Sequence, residues 1–268
     1  MISIIIPVLN EAKLIGSLLE HLSKNSTQDN ITDIIVVDGG STDGTQDIVS
    51  GFENSTNSEL DEELHSKNAL KGHKNIDTLV LDTKFSTKNF TRTNLQLVSS
   101  PKGRAKQMNL GVKYAKGSIL YFLHADAFPP IDFDQLIIKE VKKGNNAGCF
   151  RMQFDSNHWW LRLASWFTQF SWRACRGGDQ SQFITKALFD EIGGYDEDYI
   201  IYEDNILINE LYKRNEFVVI NKKIRTSARL YKKVGIWKLQ YHFWTIYVKR
   251  WFGATADEML AYYKKHIN

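Results

Sequence analysis

The first forty residues constrain the fold more than any other part of the chain. Ile2-Ser-Ile-Ile-Ile6 reads as a strand closed by Pro7. Asn10 and Glu11 then lead into a helix whose apolar face is Ala12, Ile15, Leu18, Leu19 and Leu22. Ile34-Ile-Val-Val37 is a second, β-branched strand that stops at Asp38-Gly-Gly-Ser-Thr-Asp-Gly44. Strand, helix and strand at this spacing form a βαβ unit, which requires a parallel pair with a right-handed crossover. An α/β fold follows. Asp38, at the strand end, can accept hydrogen bonds from a base or ribose. Gly39 and Gly40 let the backbone come close, and Ser41 or Thr42 can cap the next helix. Asp-Gly-Gly is equally a plain turn, and these residues alone leave both readings open.

Ser118-Ile-Leu-Tyr-Phe-Leu-His-Ala-Asp-Ala127 adds a second constraint. A short apolar run with a polar stop reads as a buried strand of such a sheet. Ligands of open α/β sheets collect at the carboxyl ends of the strands. Asp126 there, with His124 two positions away, suits a divalent cation holding a diphosphate. The alternative is that Asp126 only starts a turn. Leu95-Gln-Leu-Val98 is a further strand, followed by Ser100-Pro-Lys-Gly-Arg-Ala-Lys-Gln-Met-Asn109. Gly103 before a helix start, with Arg104 and Lys106 beside it, makes either an anion site or a solvated basic helix end.

Further on, residues 131–144 read as a surface helix and Ala147 to Phe154 as a strand. His158 to Arg173 sets Trp159, Trp160, Leu163, Trp166, Phe167 and Phe170 at spacings of three and four. A stripe of that kind packs into a core more often than it faces a membrane, although its Trp and Arg content suits an interface as well. Gly177-Gly-Asp-Gln-Ser-Gln-Phe183 follows, and Tyr202-Glu-Asp-Asn205 opens a helix. The adjacent Glu203 and Asp204 are ordinary helix-dipole partners that could also face a cleft and accept a proton. An aromatic, basic segment runs from Ile236 to Phe252. Residues 53–92 are rich in Asn, Ser, Glu, Lys and Thr, with Leu79-Val-Leu81 their clearest apolar run, and read as a polar surface insertion.

Composition narrows the function classes. The 268 residues suffice for one large domain, and without an internal repeat or a clean linker a single domain, 1–268, is expected. A formal net charge of +3 is too small to argue for nucleic acid. Cys149 and Cys175 make neither a ligand cluster nor a disulfide framework. Met1 leads directly into a strand, and no apolar run reaches the roughly 18 residues of a spanning helix. The expected location is therefore cytoplasmic, with the inner face of the membrane as a variant of it.

Taken together, these residues resemble a family 2 glycosyltransferase of the GT-A fold. The matches are Ile5-Ile-Pro-Val-Leu-Asn-Glu11, Val37-Asp-Gly-Gly-Ser-Thr-Asp-Gly44, His124-Ala-Asp126 at the family's Asp-x-Asp metal motif, and Glu203-Asp204 at its acidic pair. Gly103-Arg-Ala-Lys-Gln-Met-Asn109, Leu123-His-Ala-Asp126, Gly178-Asp-Gln180 and Thr226-Ser-Ala-Arg229 are similar to a compact bacterial branch. The resemblance implies a mostly parallel nucleotide-binding sheet flanked by helices, with a C-terminal helical segment. It implies that Pro7, Asn10, Glu11, Asp38 and Gly40 hold a nucleotide-diphosphate sugar donor and that Arg104 sits near the diphosphate. Gln107, Asn109, Ala125 and Gln180 join the substrate-binding set. Asp126 would bind Mn²⁺ or Mg²⁺, with His124 as a further ligand or a neighbour of one. Asp204 would be the catalytic base, supported by Glu203, with Asp179 as the alternative base.

Two departures matter. The first Asp of the metal motif is His124, and the Gln-x-x-Arg-Trp signature of processive synthases is absent. The implied reaction is inverting, metal-dependent transfer of single sugars to an acceptor hydroxyl, which could be lipid-linked. A sugar nucleotidyltransferase and a non-catalytic nucleotide-sugar-binding module are the alternatives.

Overall fold

The computed structural model describes residues 1–53 and 94–267. The segment expected to be an insertion, with Leu79-Val-Leu81, lies outside the described residues apart from Glu53. The expected βαβ unit is present as β1 (Ile2–Val8), α1 (Ile15–Asn25) and β2 (Ile31–Asp38), with β1 and β2 parallel. A helix α2 occupies residues 45–53, and β3 (Asn94–Ser99) lies parallel to β2. Helix α3 (Arg104–Tyr114) returns the chain to β4 (Ile119–Phe122), which pairs parallel with β1.

Pro7 does not close β1, as expected, but sits inside it. Pairing with β4 ends at Ile5, so at Pro7 the strand is in register with β2 only, opposite Val37. A missing N–H is tolerated where one side of a strand is free. The run expected as one strand up to Ala127 also divides. β4 stops at Phe122, His124 to Asp126 cross over in a turn, and β5 (Ala127–Phe128) pairs with the far edge of the sheet.

Helix α4 (Phe133–Lys142) precedes β6 (Ala147–Phe154) and α5 (Trp159–Phe167). Next come β7 (Gln182–Thr185), α6 (Lys186–Ile192), α7 (Glu203–Lys213) and β8 (Val218–Thr226). The chain then forms α8 (Arg229–Val234), α9 (Ile236–Trp251) and α10 (Ala256–His266). The eight strands run in the order β3-β2-β1-β4-β7-β6-β8-β5. Antiparallel β7 divides the parallel β3-β2-β1-β4 half from the parallel β6-β8 pair. At four residues β7 is too short to stand out in the sequence.

Alternation along β1 builds two apolar layers. Ile2, Ile4, Ile6 and Val8 face one side, where they pack with Ile15, Leu18, Leu19 and Leu22 of α1 and Phe133 and Ile137 of α4. Ile5 faces the other side with Ile35 and Val37, against Ala105, Met108 and Val112 of α3 and Leu207 and Leu211 of α7. A strand buried on both faces is apolar at nearly every position, which is why residues 4–8 of β1 and 34–37 of β2 read as continuous runs, while the buried Ser3 and Asp33 accept hydrogen bonds near the strand starts. Helices on both sides leave the carboxyl ends of the parallel strands open.

Candidate active site

The loops after β1 and β2 are tied together before any ligand is considered. Asn10 takes a left-handed φ of 58°. Its N–H donates to Ser41 Oγ (2.8 Å), and its Oδ1 accepts from the Thr42 N–H (2.9 Å). The Glu11 N–H donates to Thr45 Oγ1 at 2.9 Å. Asp38 is buried and accepts from the N–H groups of Gly40 and Ser41, from Ser41 Oγ and from Gln46 Nε2 (2.6 Å). Burial works against its charge, but these hydrogen bonds outweigh that and hold its carboxyl below the usual range. Gly40, at φ +92°, makes the turn that aims two N–H groups at this carboxylate.

Gln107 braces the same corner from below. Its side chain is buried, and Nε2 donates to the carbonyls of Val8 (2.8 Å) and Val37 (2.7 Å), the ends of β1 and β2. Asn109 accepts from the Tyr195 N–H and donates to the Tyr195 carbonyl and Glu197, pinning the loop after α6. Gln180 is buried with Arg176 (2.6 Å) and the Cys175 carbonyl (2.6 Å). These three amides, expected at the substrate, are committed to protein partners and shape the site through the backbone. Pro7 and Ala125 are likewise buried.

The ionisable groups converge where β4 ends. His124 Nε2 lies 3.9 Å from Asp204 Oδ2. Gly178 packs so closely on Asp204 that a methyl group there would overlap the carboxylate and crowd the His124 ring. Burial pushes the Asp126 carboxyl up; His124 and Arg229 oppose this, while Asp179 and Glu11 add to it. Asp179 itself is exposed, and no described residue hydrogen-bonds or ion-pairs its carboxylate. Asp126 and Asp179 are therefore within electrostatic reach of each other across the opening.

Glu203 is fully buried, and Arg104 Nε approaches its Oε1 to 2.7 Å but out of line, so neither carboxylate oxygen gains a hydrogen bond. Burial pushes this carboxyl up to about 7, with Arg104 opposing and Asp204 and Asp179 reinforcing the shift. Arg104 begins α3, as its place after Gly103 implies, and its guanidinium lies beside the acidic pair. Its side chain remains partly exposed, so the guanidinium can still face a ligand.

Arg229 closes the Thr226-Ser-Ala-Arg229 motif, and the sequence assigns it no role. It holds Glu11 through both terminal nitrogens and lies 3.5 Å from Asp126 Oδ2 through Nε. Thr226-Ser-Ala-Arg229 was the available signal; the pairing across more than two hundred residues was not readable. Among the described residues, no three His, Cys, Asp or Glu side chains gather at metal-holding distance.

The family model described as Glycosyl transferase family 2 matches residues 3–68 and 87–202. No curated protein sequence matches the chain. Among solved structures, S. aureus TarS 1-349 in complex with UDP aligns with a TM-score of 0.58 and 16% identity over 84% of this chain and 60% of its own. The UDP-GlcNAc complex of the same protein gives 0.56 and 17% over 84% and 58%. The mannosyltransferase PcManGT from Pyrobaculum calidifontis, in complex with GDP-Man and Mn²⁺, gives 0.57 and 17% over 91% and 59%. The chain thus spans about three-fifths of the length of these structures, and at such identities the likeness concerns the fold. With a βαβ corner, an acidic site at the strand ends, the GT-A architecture and a family match over most of its length, the chain belongs to glycosyl transferase family 2.

Proposed function

We propose that the protein transfers a single sugar from a nucleotide-diphosphate donor to an acceptor hydroxyl, by direct displacement with inversion at the anomeric carbon. The convergence of Asp126, His124, Asp204 and Arg229 at the carboxyl end of β4 carries this reading. The corner built by Asn10, Glu11, Asp38 and Gly40 receives the nucleotide, and Arg104 and Arg229 are the cations nearest its diphosphate. The UDP, UDP-GlcNAc and GDP-Man found in the similar structures support a donor of this class.

Asp204 is the base that removes the acceptor proton. His124 and Gly178 lie against its carboxylate where β4 ends. Glu203 stays behind it, poised near neutral pH, and Asp179 stands at the exposed rim as the alternative base. Asp126 fits a hard divalent cation, Mn²⁺ or Mg²⁺, since it is a largely buried carboxylate with the exposed charge of Asp179 within reach, although Arg229 already offsets Glu11 and lies 3.5 Å from Asp126. Asp126 would hold the ion with His124 beside it, and the bound ion would stabilise the departing nucleoside diphosphate as a Lewis acid. The acceptor enters from the side of α5 and α9, where exposed tryptophans suit a lipid-linked or membrane-held hydroxyl compound.

A screen of nucleotide sugars, following release of the nucleoside diphosphate with and without chelator, tests the reading. Metal-dependent release of diphosphate from at least one donor is expected. Release of pyrophosphate from a sugar phosphate and a nucleoside triphosphate would mark a nucleotidyltransferase. Tight donor binding with no turnover in the presence of acceptors would mark a binding module.

A further inference from the structure

Helix α9 has two apolar faces, and only one of them is covered. Leu239 and Ile246 are buried in a cluster shared with Met259 of α10 and Leu230 of α8. Trp237, Tyr241, Trp244, Val248 and Trp251 recur at spacings of four and three, so they share a face, and all five are exposed. Trp251 and the following Phe252 are 87% and 85% exposed. Trp159 of α5 extends this face, with its ring 5.7 Å from that of Trp237. A continuous apolar strip of this length marks an interaction surface rather than scattered surface residues. No described helix is long and apolar enough to cross a membrane, so the strip is not part of a span.

Charge identifies the occupant. Residues 230–255 hold five Lys and Arg and not one Asp or Glu, and α5 adds the exposed Arg162 with no acid, in a chain whose formal net charge is only +3. Positive charge is therefore segregated onto the segments that carry the exposed aromatics. A second copy of the chain would set this basic face against itself. Trp beside Lys and Arg is instead the composition that settles at an anionic membrane surface. At the end of the strip, a cleft of about 730 Å³ between α9 and α10 is lined by Val248, Phe252, Lys249, Lys265, His266 and Glu258. It combines two strip residues with basic groups suited to an anionic headgroup.

We propose that the α5–α9 face rests on an anionic lipid bilayer, with the tryptophans at headgroup level and α9 lying along the surface. Arg229 opens α8, which leads directly into α9, so docking brings the site's acceptor side to the membrane. This last step rests on the glycosyl-transfer reading; the docking itself does not.

The test is co-flotation of the full chain with vesicles of phosphatidylglycerol and phosphatidylcholine in equal parts, against phosphatidylcholine alone. Flotation with the anionic vesicles at low salt, weakening as salt rises, is expected. Trp251→Ser with Phe252→Ser should weaken partitioning by about tenfold per side chain. Lys233→Gln with Lys238→Gln should weaken it about fivefold per charge, equivalent to ~1 kcal/mol each. These positions are exposed, so thermal unfolding should be unchanged, and hydrolysis of a nucleotide sugar by water should be unaffected. A chain that stays at the bottom with anionic vesicles at low salt overturns the proposal. So does equal flotation with neutral vesicles, or a dimer in sedimentation equilibrium that Trp251→Ser/Phe252→Ser dissociates while lipid has no effect. If no donor is turned over but the chain floats as described, the docking stands and the transfer reading fails.

Discussion

Arg229 grips both oxygens of the Glu11 carboxylate while its Nε lies 3.5 Å from Asp126 Oδ2. One guanidinium thus joins the loop after β1, the turn after β4 and the start of α8. It neutralises two carboxylates that would otherwise face each other at the mouth of the site, as only a forked cation can. Arg229→Gln is expected to raise the donor KM about tenfold, the effect of ~1.4 kcal/mol. The loss of folding stability should stay near ~1 kcal/mol or below, because the arginine is half exposed. Steady-state kinetics with varied donor check this; an unchanged KM removes Arg229 from the donor site.

Asp204 and Gly178 should fail together. Loss of a general base costs about 10²–10⁴ in rate, so Asp204→Asn is expected to lower kcat by that factor with the donor KM nearly unchanged. Gly178→Ala places a methyl group against the same carboxylate and should lower kcat comparably by displacing it. Single-turnover measurements on both, and on Asp179→Asn, decide the assignment. If Asp179→Asn is crippling and Asp204→Asn mild, the exposed carboxylate is the base.

Glu203 makes stability depend on pH in an unusual direction for a carboxylate. Its folded carboxyl is raised from 4.5 to about 7, so the folded state keeps a proton that the unfolded chain releases above pH ~4.5. The contribution is full below that pH and is lost as pH rises toward 7. Denaturant unfolding of the wild type relative to Glu203→Gln should show the difference falling across this window, by roughly 1–3 kcal/mol. A flat difference would mean that Arg104 keeps the carboxylate charged throughout.

Gln107 should behave as a brace rather than a ligand. Gln107→Leu removes the donor shared by the Val8 and Val37 carbonyls and should cost about 1–3 kcal/mol of stability. Donor KM should then rise little at temperatures where the variant is folded. Thermal melts and kinetics on one preparation separate the two roles; a large KM increase with an unchanged melt would return Gln107 to the substrate.

The sequence by itself determined the local architecture. The βαβ unit was legible because a strand buried on both faces is apolar at nearly every position, while its flanking helix must be apolar on one face only. The polar stop at Asp38 was legible for the same reason, whereas Asp126 proved to lie in the turn beyond β4, because the apolar run continues past the end of the strand at Phe122. Tertiary structure decided what the polar side chains do. Gln107, Asn109 and Gln180 lie in site-like motifs, yet the first two amides are consumed by backbone groups distant in sequence and the third by the neighbouring Cys175 carbonyl and Arg176. The link from Arg229 to Glu11 joins the chain after β8 to the loop after β1, strands that are not neighbours in the sheet, and no spacing encodes it. The stripe in α5 shows the same limit. Helical spacing places Trp159 and Trp166 on a helix, but only the packing of β6 and α9 around it leaves both exposed while Leu161 is buried. Periodicity records which residues share a face; which faces are covered depends on neighbours brought together from elsewhere in the chain.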